Sequence, residues 1–255
     1  NPISAEHEEP SPTCLARVQR EIARTYNARQ PRGVFVVPEE YDVTKLHAVV
    51  VGPRNTPYEA GFFHFLLKCP PDYPASPPRV RNMTTDAGRV SFHPYLYASG
   101  TVCLCVLGTC LGQPSWKPTH SSIETVLASI QSLLNEKTCF EESGPDNARR
   151  CDAFIQHETI RVAVCDVVEA CLESDSPLPP RLRQKILKAF SERCGWYDKV
   201  VGGRVHLDGM VMVGPFDGSK GVYRHRSLLE RLRSLNVRLQ RRNPTLFVKE
   251  DAAGF

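Results

Sequence analysis

Twelve of the 21 prolines fall between Pro31 and Pro118, and this clustering limits what that part of the chain can become. Within it, the stretch Cys69–Pro78 (CPPDYPASPP) alone carries five. Each proline lacks an amide donor and biases its predecessor toward extended backbone, so the stretch is neither helix nor central strand. It must be an ordered but irregular connection. Around it lie four β-rich runs ended by turn residues: Gly33–Pro38, Leu46–Val51, Phe62–Lys68 and Pro78–Asn82. Their short Gly- and Pro-bearing connectors favour an antiparallel meander over βαβ units.

Helical periodicity brackets this region. Residues 1–12 show no apolar period and read as a loose tail. Leu15, Val18 and Ile22 then mark one helix face, and Arg17, Arg20 and Arg24 repeat the same spacing on the far side. The pattern predicts a helix with one face docked and a basic stripe in solvent. Ser121–Glu136 carries Ile123, Val126, Leu127, Ile130, Leu133 and Leu134 at helical spacing, with Ser121 and Glu124 as a capping box. After a polar break at Glu141–Asn147, a long, largely buried helix is expected over Ala148–Leu172. Further helices are expected at Arg181–Cys194 and Ser227–Gln240, with a short hairpin at Gly202–Met212 between them.

The last helix holds the charge asymmetry. Seven arginines against Glu230 give +6 over residues 224–242, and the rest of the chain is −2. That stripe is either a docking face for an acidic partner or an ordinary solvated face. No aromatic residues interleave the arginines, which argues against a base-stacking platform. A net charge of +4 is too mild to indicate nucleic acid by itself. The densest apolar run, Val162–Leu172, is interrupted by Asp166 and Glu169 and is too short to span a bilayer. With 41% hydrophobic residues, the chain has enough apolar surface to fold. No secretory leader is recognisable at the start, and Asn1 in place of Met fits a fragment or processed product.

Chemistry has few places to reside. No glycine-rich phosphate loop, Gly-x-Ser-x-Gly elbow or His-Glu-x-x-His occurs. Ten cysteines without a Cys-x-x-Cys pair suggest mostly reduced thiols and no zinc site. Phe92–Leu107 (FHPYLYASGTVCLCVL) delivers Cys103 just after a turn marked by Pro94 and Gly100. Cys103 and Cys105 lie two apart, so in extended backbone one is buried and the other reachable. Spacing does not decide which. His93, before Pro94, reads as a turn histidine, and no histidine is obviously paired with either thiol as a base.

Taken in order, these segments resemble the ubiquitin-conjugating enzyme family. The landmarks after the first helix are Gly52-Pro53, Thr56-Pro57-Tyr58-Glu59, Gly61, Phe62-Phe63, Cys69–Pro74 and Pro77-Pro78. They continue with His93-Pro94, Gly100, Val102-Cys103-Leu104, Leu107, Trp116-x-Pro118 and the Ile123 helix. Each is weak alone; their shared order is specific. Met83-Thr84-Thr85, Leu107-Gly108-Thr109, Ser129–Leu133 and His157–Asp166 look like the Z branch, which also has a long C-terminal extension.

The resemblance implies an α+β fold: an N-terminal helix, a four-stranded antiparallel meander, an active-site loop, then helices. It implies a core over residues 13–146 and a helical extension packed on it over 147–255. It also implies a chemistry. The Cys103 thiolate takes ubiquitin, or a ubiquitin-like modifier, as a thioester from an activating enzyme and passes it to lysine or a ligase. ATP is consumed upstream by the activating enzyme; no bound cofactor, metal, nucleic acid or membrane is expected. Arg17, Arg20 and Arg24 become candidate contacts for the activating enzyme and ligases. Tyr73, Pro74, Pro77 and Trp116 would form the ligase-facing end. Glu141 or Glu142 would supply the acidic gate, and His93 the loop support. Cytoplasm and nucleus are the expected compartments.

One departure matters. The family usually has asparagine after His-Pro, credited with supporting the loop and the oxyanion; here Tyr95 stands there. Losing an oxyanion donor costs on the order of 100-fold in rate. A tyrosine hydroxyl reaches about 4 Å farther from the backbone than an asparagine amide. Transthiolation would then persist while lysine transfer slows; the alternative is a catalytically impaired adaptor of the same fold. Cys105, where the family has Ser or Asp, reads as a buried neighbour.

Overall fold

The structure, a computed structural model, describes residues 9–27, 33–109, 116–135 and 144–242. Helix α1 spans Pro12–Asn27 and leads into four strands: β1 (Val34–Pro38), β2 (Lys45–Val51), β3 (Phe62–Lys68) and β4 (Arg79–Asn82). They pair antiparallel in the order β1-β2-β3-β4, the expected meander. The register sets Val34 against Val50 and Phe35 against Val49, and on the other side Val50 against Phe63 and Val51 against Phe62. Alternate residues therefore share a face. Val34, Val36, Leu46, Ala48, Val50, Phe63, Phe65 and Leu67 form the inner face, packed against Cys14, Val18 and Ile22 of α1.

The outer face is apolar as well. Phe35, Val37, Val49, Val51 and Phe62 all join a second hydrophobic cluster. Helices from the C-terminal part of the chain cover it. Helix α2 (Ile123–Leu133) belongs to the inner cluster, but the helical run from Pro145 crosses to the outer one. That run is α3 (Pro145–Glu158), a π-helical stretch (Thr159–Asp166) and α4 (Val167–Leu172), continuous through right-handed helical backbone. Cys151, Phe154 and Ile155 face the inner cluster, and Ile160, Val164 and Val168 the outer. The boundary expected at 146/147 thus falls in the first turn of a helix that serves both. Gly61 marks the closest approach. A Cβ there would lie 2.6 Å from Thr159 Cγ2 and 3.2 Å from Ala163 Cβ.

Helices α5 (Pro180–Ser191), α6 (Cys194–Gly202) and α7 (His225–Arg242) complete the outer layer. Tyr197 of α6 is fully buried and donates its hydroxyl to the Ala60 carbonyl at 2.7 Å. Leu228, Leu232, Leu235 and Leu239 are the buried stripe of α7. Four of its arginines, Arg226, Arg231, Arg233 and Arg238, find acids in this same chain. Arg231 pairs with Asp166 at 2.7 Å and with Glu169, and Arg238 with Glu173 at 2.8 Å. Arg233 pairs with Asp198 at 2.8 Å. Each partly exposed pair contributes little alone, but together they line α7 up against the α3–α4 run and α6.

Several expectations are corrected. The buried stripe of α1 runs through Cys14, Val18, Glu21 and Ile22, with Leu15 only half-buried. The cap of α2 is Ser122, whose side chain accepts the Thr125 amide in a reciprocal box. Ser121 instead accepts the Lys117 amide on its hydroxyl at 3.0 Å. The helix expected to reach Cys194 ends at Ser191, where α6 starts a separate element. The expected hairpin at Gly202–Met212 is the end of α6 and a 3-10 turn, Val205–Leu207. The true hairpin is β5 (Val211–Val213) with β6 (Lys220–Val222). Seven cysteines among the described residues are free thiols, whereas Cys151 is disulfide-bonded.

The Gly61 contact generates a stability test. Gly61→Ala should destabilise the fold by about 1–3 kcal/mol through overpacking against the π-helical stretch. An unchanged urea midpoint would show that the helix does not press on β3.

Candidate active site

The loop after β4 is built from turns that close on backbone groups. The Thr85 carbonyl accepts the amides of Gly88, Arg89 and Val90 at 2.9–3.1 Å. Asp86, Ala87 and Gly88 follow one another at φ of +51°, +54° and +89°. Val90 and Phe92 are then buried, and Tyr58 donates its hydroxyl to the Phe92 carbonyl at 2.7 Å. Ser91 donates its hydroxyl to the Leu96 carbonyl at 3.0 Å. Gly100, at φ +88°, returns the chain, and its carbonyl accepts the Asn82 amide at 2.8 Å.

His93 is buried, and its Nδ1 accepts the Tyr95 amide at 3.1 Å, which places its proton on Nε2. Burial pushes its pKa down to about 4. His93 is therefore a neutral scaffold for the loop. Tyr95 acts through its backbone, its carbonyl accepting the Cys103 amide at 2.9 Å. Its ring is 46% exposed and lies tilted at 5.4 Å from His93. The side chain at the usual asparagine position thus faces solvent.

Cys103 is half-buried, with Sγ 3.2 Å from the Thr109 carbonyl. The buried residue beside it is Leu104, not Cys105. Cys105 opens a 3-10 turn, Cys105–Leu107, and is exposed, so the extended path that would have hidden it ends at Leu104. The turn closes at Gly108, φ +69°. Thr109 then clasps the Cys103 segment. Its hydroxyl accepts the Leu104 amide at 2.8 Å and sits 3.0 Å from the Val102 carbonyl as donor. No role for Thr109 was read from the sequence; its signal was the glycine that lets the chain fold back beside Cys103.

The expected partner surfaces divide. Arg17 is not in a solvent stripe: it bonds Glu21 and donates to the Ser121 carbonyl at 3.0 Å. Buried Glu21 also accepts the Tyr73 hydroxyl at 2.9 Å and the Ile123 amide at 2.9 Å. One carboxylate thereby joins α1, the proline-rich connection and the positive end of α2. Tyr73 is fully buried, before a cis bond to Pro74, so it holds the surface from beneath. Trp116 donates its indole N–H to the Pro74 carbonyl at 2.8 Å. Pro74, Pro77 and Trp116 are half-buried, and Arg20 and Arg24 are exposed. Glu141 and Glu142 lie outside the described residues.

The His93 environment fixes a pH dependence. A histidine held below its ordinary 6.5 adds stability that is complete above pH 6.5. That stability declines as pH falls toward 4, because the unfolded chain takes its proton first. The loss amounts to at most about 3 kcal/mol. His93→Gln should flatten this acid limb in urea titrations. An unchanged limb would contradict the scaffold role.

Comparison with known proteins agrees with this geometry. The family model for ubiquitin-conjugating enzyme matches residues 17–162, more than half of the chain. Ubiquitin-conjugating enzyme E2 Z from Homo sapiens is 45% identical over 231 residues. That alignment covers 88% of this chain and 63% of the human protein, so the chain spans just under two thirds of that relative. The Danio rerio protein of the same name is 42% identical over 245 residues, covering 94% of this chain and 73% of that protein. Both alignments are longer than the family match, so the likeness extends into the C-terminal helices. With its meander and the Cys103 loop, this chain belongs to the ubiquitin-conjugating enzyme family.

Proposed function

We propose that this chain receives ubiquitin, or a ubiquitin-like modifier, from an activating enzyme as a thioester on Cys103. It then passes the modifier to a lysine or to a ligase cysteine. The observation that carries the reading is the accessible Cys103 thiol, held at the loop by the Tyr95 carbonyl and the Thr109 clasp. A non-enzymatic adaptor would need neither.

In the first step the Cys103 thiolate attacks the carbonyl carbon of the incoming thioester. The activating enzyme's cysteine leaves as its thiolate, so one thioester replaces another. In the second step a neutral amine attacks, the Cys103 thiolate leaves, and the amine proton passes to solvent. Thiolate is a good leaving group, so neither step requires a metal. Transthiolation needs only the positioned thiol. Amine attack builds a longer-lived oxyanion, and the exposed Tyr95 ring is poorly placed to stabilise it.

Arg20 and Arg24 are the candidate contacts that α1 leaves for activating enzyme and ligase. The end formed by Pro74, Pro77 and Trp116 is the candidate ligase-facing surface, stiffened by Glu21 and Tyr73. Cytoplasm and nucleus are the compartments this reading requires.

The test is a charging reaction with activating enzyme, ATP and modifier, resolved on a non-reducing gel. The chain should show a thiol-sensitive upward shift that Cys103→Ala abolishes. Absence of a shift with both ubiquitin and ubiquitin-like modifiers, each with its own activating enzyme, would refute the reading. Tyr95→Asn should leave charging within about twofold and speed discharge to free lysine by on the order of 10- to 100-fold. An unchanged discharge rate would show that Tyr95 costs the site nothing.

A further inference from the structure

We infer that Arg161, in the C-terminal helical run, is a positioning residue for the active-site loop, acting through Asp86. The inference rests on the thioester reading for its catalytic consequence, but its structural half stands apart.

The loop begins with Asp86 and Ala87, both in the left-handed region that non-glycine residues rarely occupy. Something has to hold them there. The Asp86 side chain is only 11% exposed and takes a hydrogen bond from Arg161 Nη2 at 2.7 Å. Arg89 closes on the same carboxylate from the solvent side at 2.6 Å. Arg161 is itself aimed. Its Nε lies 3.0 and 3.1 Å from the two Glu158 oxygens, and its Nη2 also bonds Glu158.

Glu158 is 1% exposed, and His157 Nδ1 lies 2.8 Å from it. The Arg224 amide donates to His157 Nε2 at 3.1 Å, so the Nδ1 proton points at Glu158. A line of oriented polar contacts therefore runs from the start of α7, through His157, Glu158 and Arg161, to Asp86. The middle three, His157, Glu158 and Arg161, belong to the His157–Asp166 segment, whose chemistry the thioester mechanism does not otherwise use.

The geometry downstream gives this line its reach. The Asp86 turn fixes Val90 through the Thr85 carbonyl; Phe92 is pinned by Tyr58, and His93 and Tyr95 follow directly. The Tyr95 carbonyl holds the Cys103 amide. Loosening Asp86 frees the entrance of the loop while its exit stays tied at Gly100.

Arg161→Gln leaves Glu158 buried without its cation, so Asp86→Asn, which keeps the Arg161–Glu158 contact, is the second variant. Arg233→Gln, which removes an ion pair elsewhere in the extension, is the control. Two readouts are taken on the full chain. In amide hydrogen exchange, Asp86→Asn should speed exchange at Leu96 and Tyr97 by about 10-fold, with α2 amides unchanged. In single-turnover discharge of preloaded thioester to lysine, Arg161→Gln and Asp86→Asn should each slow the rate by about 5-fold or more. The double variant should be no slower than the worse single one. Arg161→Lys should recover part of the rate by restoring charge without the fork.

Exchange at Leu96 and Tyr97 unaffected by Asp86→Asn would overturn the inference. Multiplicative effects of the two variants, or equal losses from Arg233→Gln, would do the same. A wild-type chain that never charges would refute the thioester reading, leaving the exchange result to decide whether Arg161 and Asp86 position the loop.

Discussion

From Val49 to Val51 and at Phe62 the sheet is apolar on both faces, and most of the architecture follows from that. In β2 and β3 apolar residues occupy both sides of the pleat, from Leu46 to Val51 and from Phe62 to Leu67. A half-buried antiparallel strand alternates; these do not, so two layers have to cover them. Helices α1 and α2 and the loops cover the inner face. The outer face would otherwise expose Phe35, Val37, Val49, Val51 and Phe62 to water, and the C-terminal helices take that place. The extension is thus the second half of the core's packing. Gly61 and the Tyr197–Ala60 bond show how closely it is fitted to β3 and the turn before it.

Local bonding also explains how a chain of loops holds the Cys103 segment still. Among the described residues, the segment carrying Cys103 meets the sheet only through the isolated bridge Arg81–Thr101 at the edge of β4, with further bridges His93–Leu96 and Leu96–Val102 inside the loop. Its backbone groups pair with one another, as Cys103 does with Tyr95, and with side chains: Tyr58 on Phe92, Thr109 on Val102 and Leu104, and His93 on Tyr95. A buried polar group left unpaired would cost more than these bonds contribute, so each member fixes its neighbour's geometry. Glu21 does the same for α1, Tyr73 and α2.

Short-range signals were legible and long-range pairings were not. The four strands, the irregular Cys69–Pro78 connection and the leucine stripe of α7 follow from period and proline placement, and the structure contains them. The α1 arginine stripe misled because period reports which way Arg17 points but not that Glu21 and the Ser121 carbonyl wait beside it. Likewise the α7 stripe reads as either a docking face or a solvated one, whereas several of its arginines meet Asp166, Glu169, Glu173 and Asp198, which lie far back in sequence. The α2 cap slipped by one because Ser121 was already engaged with Lys117. At the candidate site, the loop that carries Cys103 and its His93 turn were readable from motif order. The exposure of Cys105 was not, since it depends on a 3-10 turn closing at Gly108. The left-handed turn at Asp86 and Ala87 has no glycine at either position to announce it.

Core and extension fold as one unit because they share the sheet. The chain's two tryptophans report on one part each: Trp116 packs against the inner cluster and Trp196 against the outer. Urea unfolding followed by fluorescence in Trp116→Phe and in Trp196→Phe, with far-UV circular dichroism alongside, reads the two halves separately. A shared sheet predicts that each variant's tryptophan signal coincides with its circular dichroism, in a single transition. An extension signal lost at lower urea, with strand signal and the Trp116 environment intact, would contradict the claim and leave the core able to stand with an open outer face.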